Sequence, residues 1–130
     1  MSSDAAVIRK TDFVFVPVRD FATAEAFYGT TLGLPCSARY GDGIGGEFET
    51  GNLTIQLLEA ERIGRRFTPT SGAIALRVDD VHRARSILES RGVKFTGDVI
   101  DSGVCLQAFF HDPDGNPLIL HHRYAPKETS

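Results

Sequence analysis

The chain has 130 residues, of which 42% are hydrophobic and 24% charged, with a formal net charge of −3 and a pI near 5.7. This fits one globular domain with a core of its own, and the mild acidity with scattered Lys and Arg excludes a nucleic-acid footprint. No apolar run approaches the roughly 18 residues of a membrane span, so no membrane partner is expected. The opening Met-Ser-Ser-Asp-Ala-Ala-Val lacks the charged and apolar regions of a secretion signal, and Cys36 and Cys105 are too few for a disulfide framework. A cytoplasmic protein with reduced thiols is therefore expected.

Taken in chain order, residues 13–18 form a β-rich run that is apolar on both faces, which predicts a covered strand. Pro17 favours an edge position or a strand end, because it has no N–H to give to a ladder. Asp20 is a natural N-cap for a helix whose apolar stripe is Ala24, Phe27, Tyr28 and Leu32. Gly33 ends that helix and Pro35 prevents its resumption. A short strand over 36–40 follows. The stretch with Gly41, Gly43, Gly45 and Gly46 lacks the lysine and helix of a phosphate loop and reads as a flexible segment. Strands over 46–50 and 53–59 are joined by the turn dipeptide Gly51-Asn52. Residues 61–72, with Arg62, Arg65, Arg66 and Pro69, break both periodicities and read as a solvated basic linker.

The pattern then starts again. Val18, Asp20, Ala24 and Phe27 are answered 60 positions later by Val78, Asp80, Ala84 and Ile87. A strand over 73–78 leads into a helix capped by Asp79 or Asp80, with the stripe Val81, Ala84, Ile87 and Leu88, and Gly92 closes it. Strands are predicted over 93–96, 104–110 and 117–122, the last two joined by Asp112-Pro113-Asp114-Gly115-Asn116, a strong turn sequence. Residues 127–130 form a polar tail. The order is β-α-β-β-β used twice. The fold class expected is α+β, with residues 1–130 as one domain: one module over about 11–60, a linker over about 61–72, and a second module over about 73–123.

Three passages carry a family resemblance: Val18-Arg19-Asp20 followed by Ala24, Phe27-Tyr28 and Leu32-Gly33-Leu34; Ala73-Ile74-Ala75-Leu76-Arg77-Val78-Asp79-Asp80; and Phe110-His111-Asp112-Pro113-Asp114-Gly115-Asn116-Pro117. In their order and spacing the chain resembles the vicinal oxygen chelate superfamily of glyoxalase I, extradiol dioxygenases and bleomycin and fosfomycin resistance proteins, over about residues 11–123. The resemblance implies two βαβββ modules forming an open eight-stranded barrel-like cleft, and a homodimer. In metal-dependent members, four positions on the first and last strands of the modules converge on an ion. By motif they fall on Phe13, Gln56, Ala73 and Ile119, of which only Gln56 has a donor atom, so no metal and no cofactor is expected there.

Strand alternation extends the lining to Phe13, Phe15, Thr54, Gln56, Leu58, Ala73, Ala75, Arg77, Ile119 and His121. Apolar walls with Gln56, Arg77 and His121 among them are the composition of a small-molecule pocket. Phe13 and Phe15 offer ring faces to a planar ligand, Arg77 suits an anionic group or an ion pair with Asp79, and His121 is the histidine placed inward. His122 and His82 are expected at the surface, and His111 near the cleft mouth. No Gly-x-Ser-x-Gly elbow and no nucleophile paired with a base is present. Two functions remain. One is a metal-free binding protein of the bleomycin-resistance type. The other is a glyoxalase-like enzyme with displaced or absent family ligands: either a metal-dependent lyase or dioxygenase with displaced ligands, or a metal-free isomerase or lyase in which His121 and Arg77 do the work.

Overall fold

The computed structural model describes residues 7–126. The polar tail at 127–130 and most of the N-terminal stretch compared with a secretion signal lie outside the described residues. The first unit runs β1 (Val14–Val18), α1 (Phe21–Glu25) continuing into a π-helical segment (Ala26–Thr31), β2 (Cys36–Arg39), β3 (Gly45–Glu49) and β4 (Thr54–Glu59). The second runs β5 (Ile74–Arg77), α2 (Val81–Ser90), β6 (Phe95–Asp101), β7 (Cys105–His111) and β8 (Pro117–Arg123). The sheets have matching orders, β1-β4-β3-β2 and β5-β8-β7-β6. In each, the first strand is an edge strand parallel to the last, and the other pairs are antiparallel. The duplicated α+β architecture is thus as expected, but the two sheets are not closed into a barrel.

Both helices start where an Asp carboxylate satisfies a free N–H of the first turn. Asp20 accepts from the Thr23 N–H at 3.0 Å and Asp80 from the Arg83 N–H at 3.0 Å. The first helix widens after Glu25, with Leu32 N–H donating to Phe27 O at 2.8 Å across five residues. Tyr28 on this segment is fully buried, and its ring lies 5.3 Å from Phe27 and 6.3 Å from Phe48. Gly33, at φ 77°, then turns the chain away.

Two expectations about strands change. The strand expected over 93–96 begins at Phe95 and continues to Asp101, because a register shift between Thr96 and Ile100 absorbs Gly97-Asp98 as a bulge instead of a turn. The glycine-rich stretch, expected as a flexible segment, forms a short turn over Gly41–Gly43 and then enters a strand. Gly45 and Gly46 belong to β3, and a Cβ on them would meet Leu57 O at 2.0 Å and Ala38 O at 2.6 Å.

One continuous core joins the two units. Val16, Val18, Phe48, Ile55 and Leu57 meet Ala108, Phe110, Leu118 and Leu120 beneath Phe21, Ala24, Tyr28, Val81 and Leu88 of the helices. The turn at 112–116 clamps this junction. Tyr28 Oη donates to Asp112 Oδ2 at 2.7 Å, Asn116 Nδ2 donates to Pro17 O at 2.8 Å, and Arg19 N–H donates to Asp114 Oδ2 at 3.0 Å. Burial, reinforced by the neighbouring Asp112, pushes the Tyr28 phenol far above its ordinary range.

Candidate functional site

Alternation along each strand decides which side chains the core consumes. Val16 and Val18 of β1, Ile55 and Leu57 of β4, and Leu118 and Leu120 of β8 are buried against the helices. The intervening residues stand on the opposite, partly open face. In the first sheet, pairing aligns Phe15 with Gln56 and Gln56 with Glu47, and Pro17 with Leu58. In the second, Arg77 aligns with His121 and His121 with Gln107, while Ala75, Ile119 and Phe109 make a parallel row. Phe15, Gln56, Leu58, Ile119 and His121 are half-buried and Arg77 is exposed. Phe13 lies outside β1 and is 48% exposed, so it stands beyond the strand that was expected to hold it.

Each row has its own chemistry. On the first sheet, Gln56 Nε2 donates to Tyr40 Oη at 3.1 Å, and Tyr40 Oη donates to Glu47. Burial and the bond to Glu47 raise the Tyr40 phenol above its ordinary value, and the Gln56 donor partly offsets this. Glu49 accepts from Ser37 Oγ and from Thr54 Oγ1, and these bonds lower its carboxyl. This face is acidic and hydrogen-bonded. The second sheet presents Arg77, His121 and Arg123 on its corresponding face. Arg77 makes no ion pair or side-chain hydrogen bond among the described residues, so the pairing with Asp79 is not formed. Arg123 donates through Nη2 to Pro126 O at 3.2 Å, and its buried Nε has no acceptor among the described residues. Tyr40, Glu47, Gln107 and Phe109 escaped the sequence reading. Alternation selects Glu47, Gln107 and Phe109 as antiparallel neighbours of Gln56, His121 and Ile119 only once the register is known, and Tyr40 lies outside the strands.

The remaining histidines sit apart from this face. His122 points toward the core side with Nδ1 3.0 Å from Val78 O, so it is a half-buried structural group and not the surface residue expected. His82 and His111 are exposed. In the linker, Arg62 donates to Asp42 O at 2.8 Å and pairs with Glu59.

The donor chemistry does not fit a resident metal at the family positions. Phe13, Ala73 and Ile119 carry no donor atom, and Gln56 offers one neutral amide already bonded to Tyr40. Among the described residues no three His, Cys, Asp or Glu side chains group as ion ligands.

A family model described as the Glyoxalase/Bleomycin resistance protein/Dioxygenase superfamily matches residues 10–120. TnmS3, an antibiotic binding protein from Streptomyces sp. CB03234, is similar in structure at TM-score 0.73 and 28% identity, covering 90% of this chain and 98% of its own. A glyoxalase/bleomycin resistance protein/dioxygenase from Nocardioides superimposes at TM-score 0.77 with 21% identity, covering 98% and 95%. A lactoylglutathione lyase from Agrobacterium tumefaciens does so at 0.73 with 18% identity, covering 88% and 93%. Among curated proteins, no sequence match is found.

Proposed function

The chain belongs to the glyoxalase/bleomycin resistance protein/dioxygenase superfamily, and we propose that within it the protein binds a small molecule without a metal, on the open sheet faces, as a homodimer. One observation carries this reading. The strands pack one face toward the core and leave the other half-open, and that face combines apolar and aromatic groups (Phe15, Leu58, Ile119, Phe109) with a few polar ones (Gln56, Arg77, His121). The ligand class is a planar or amphiphilic molecule. Its apolar body lies against the rings, and its anionic or carbonyl group meets Arg77 and His121.

The charges of the two open faces support a homodimer. The first sheet's open face carries Glu47 and Glu49, and the second's carries Arg77, His121 and Arg123. Two copies that lay unlike faces together enclose two equivalent clefts with complementary walls. The similarity to an antibiotic-binding protein supports binding over turnover.

The test is a melting-temperature screen of the purified protein with bleomycin and a panel of planar aromatic and peptide-like compounds, together with metal analysis. A rise with at least one compound in metal-free protein is expected. Gln56→Ala and His121→Ala should weaken that binding about tenfold while costing less than ~2 kcal/mol of stability. Stoichiometric iron, nickel, zinc or manganese whose removal abolishes a ligand response would overturn the reading in favour of an enzyme. Sedimentation showing only monomer would remove the dimer.

A further inference from the structure

The pseudo-symmetry of the two units is broken at one seam. The turn of the second unit stitches the edge of β1, with Asn116 on Pro17 O and Asp114 on Arg19 N–H. The counterpart turn of the first unit, at 50–53, leaves the edge of β5 beside a cavity of about 450 Å3. The equivalent side chains differ in the same sense. Val16, Val18 and Ala24 are buried, whereas Leu76, Val78 and Ala84, 60 positions on, are only half-buried. Phe27 is half-buried, and its counterpart Ile87 is 39% exposed. Tyr28 fills the first seam and reaches Asp112, while the shorter Leu88 at the second has no such partner. The stripe predicted on α2 is therefore real, but part of it faces a hollow and not packed protein.

The walls state what fits. Leu32, Leu34 and Leu53 of the first unit face Ile74, Leu76 and Ile87 of the second. The charged lining residues are Arg77 and Arg91, and the lining includes no acid. Arg91 is held at the rim by donating through Nη1 to Thr31 O at 2.8 Å, which leaves its other N–H groups free to bond. Val78 N–H donates to His121 O, so the alternate backbone groups of β5, at Ala75 and Arg77, point out from the sheet edge toward the cavity. From this we propose a second binding site at the seam, separate from the open sheet faces, for an amphiphile with an apolar chain or ring system and a single anionic head. The body occupies the leucine and isoleucine walls, and the head meets the Arg91 guanidinium at the rim, since the Arg77 side chain lies on the open face and only its backbone borders the cavity. The volume lies in the range of small-ligand pockets.

Fluorescence of 8-anilinonaphthalene-1-sulfonate, which joins an apolar ring system to one sulfonate, reads this site directly in the full chain. Its emission should rise on binding and be displaced by decanoate but not by decyltrimethylammonium at equal concentration. Ile87→Trp, which fills the hollow, should weaken probe binding at least tenfold. Arg91→Gln should weaken decanoate several-fold more than decanol, with melting temperature checked for both variants. Amide chemical shifts on adding decanoate to the unmodified protein should move at Leu34, Leu53, Leu76 and Ile87. No probe binding, equal displacement by the cationic amphiphile, or shifts confined elsewhere would overturn the proposal. So would loss of probe binding in Gln56→Ala but not in Ile87→Trp, which would put the probe on the open face and leave the proposed function standing.

Discussion

Tyr28→Phe isolates one hydrogen bond at the centre of the fold. The ring is fully buried, and phenylalanine keeps its contacts with Phe27 and Phe48. What is lost is the phenol donating to Asp112 Oδ2 at 2.7 Å. That carboxylate also accepts from Asn116 Nδ2 at 2.8 Å and from the N–H groups of Asp114 and Asn116 at 2.9 Å each. Three of its four bonds therefore survive, and the loss should be about 2 kcal/mol, the range for a bond to a charged acceptor in a buried site. At this chain length that is roughly 8 °C in melting temperature. The phenol also sets a pH signature. In the folded state burial and Asp112 hold its pKa far above the ordinary value, while in the unfolded chain it ionises near 10. Above about pH 10 the unfolded chain sheds a proton that the folded chain keeps, so this group's share of stability is intact below pH 10 and falls by about 1.4 kcal/mol per pH unit above it. The phenylalanine variant has no such proton, and Tyr40 and Tyr124 are common to both proteins. The gap between the two should therefore be constant from pH 7 to 10 and close near about pH 11.5. The chain has no tryptophan, so urea unfolding followed by far-ultraviolet circular dichroism is the assay. A gap below about 0.5 kcal/mol at pH 7, or one still unchanged at pH 11.5, would refute the reasoning.

Two further substitutions test the frame. Gly45→Ala places a Cβ 2.0 Å from Leu57 O in the neighbouring strand and should cost more than about 2 kcal/mol, whereas Gly41→Ala meets nothing within 4 Å and should stay within about 0.5 kcal/mol in the same denaturation assay; equal values would show that the close β3–β4 approach is not required. Asn116→Ala removes the donor to Pro17 O and the acceptor for Thr70 N–H, at 2.8 and 2.9 Å, from a buried position, and should lower stability by about 3 kcal/mol; a loss under about 1 kcal/mol would mean that the units are held by their apolar core alone.

Much of the candidate face was legible from residue spacing. A strand repeats every second residue, so burial of Ile55 and Leu57 obliges Gln56 to face the other way, and Leu118 and Leu120 do the same for Ile119 and His121. Tyr40 and Glu47 were not legible, because partnership across a sheet depends on register, which spacing within one strand does not give. The bulge in β6 was missed for a related reason: Gly97-Asp98 looks like a turn in isolation and becomes a bulge only when β7 runs beside it.

What the sequence by itself determined is local and periodic: the doubled strand–helix–strand–strand–strand order, the Asp20 and Asp80 caps and the turn at 112–116. It also determined the donor-poor set at the family's ion positions. Each follows from neighbours a few residues apart or from the chemistry of a single side chain. The tertiary structure decided how the two copies meet. One seam is closed by Tyr28, Asp112 and Asn116, and the other is left hollow above Ile87, because the fit of two nearly equivalent surfaces depends on side-chain volumes and turn lengths brought together from opposite halves of the chain.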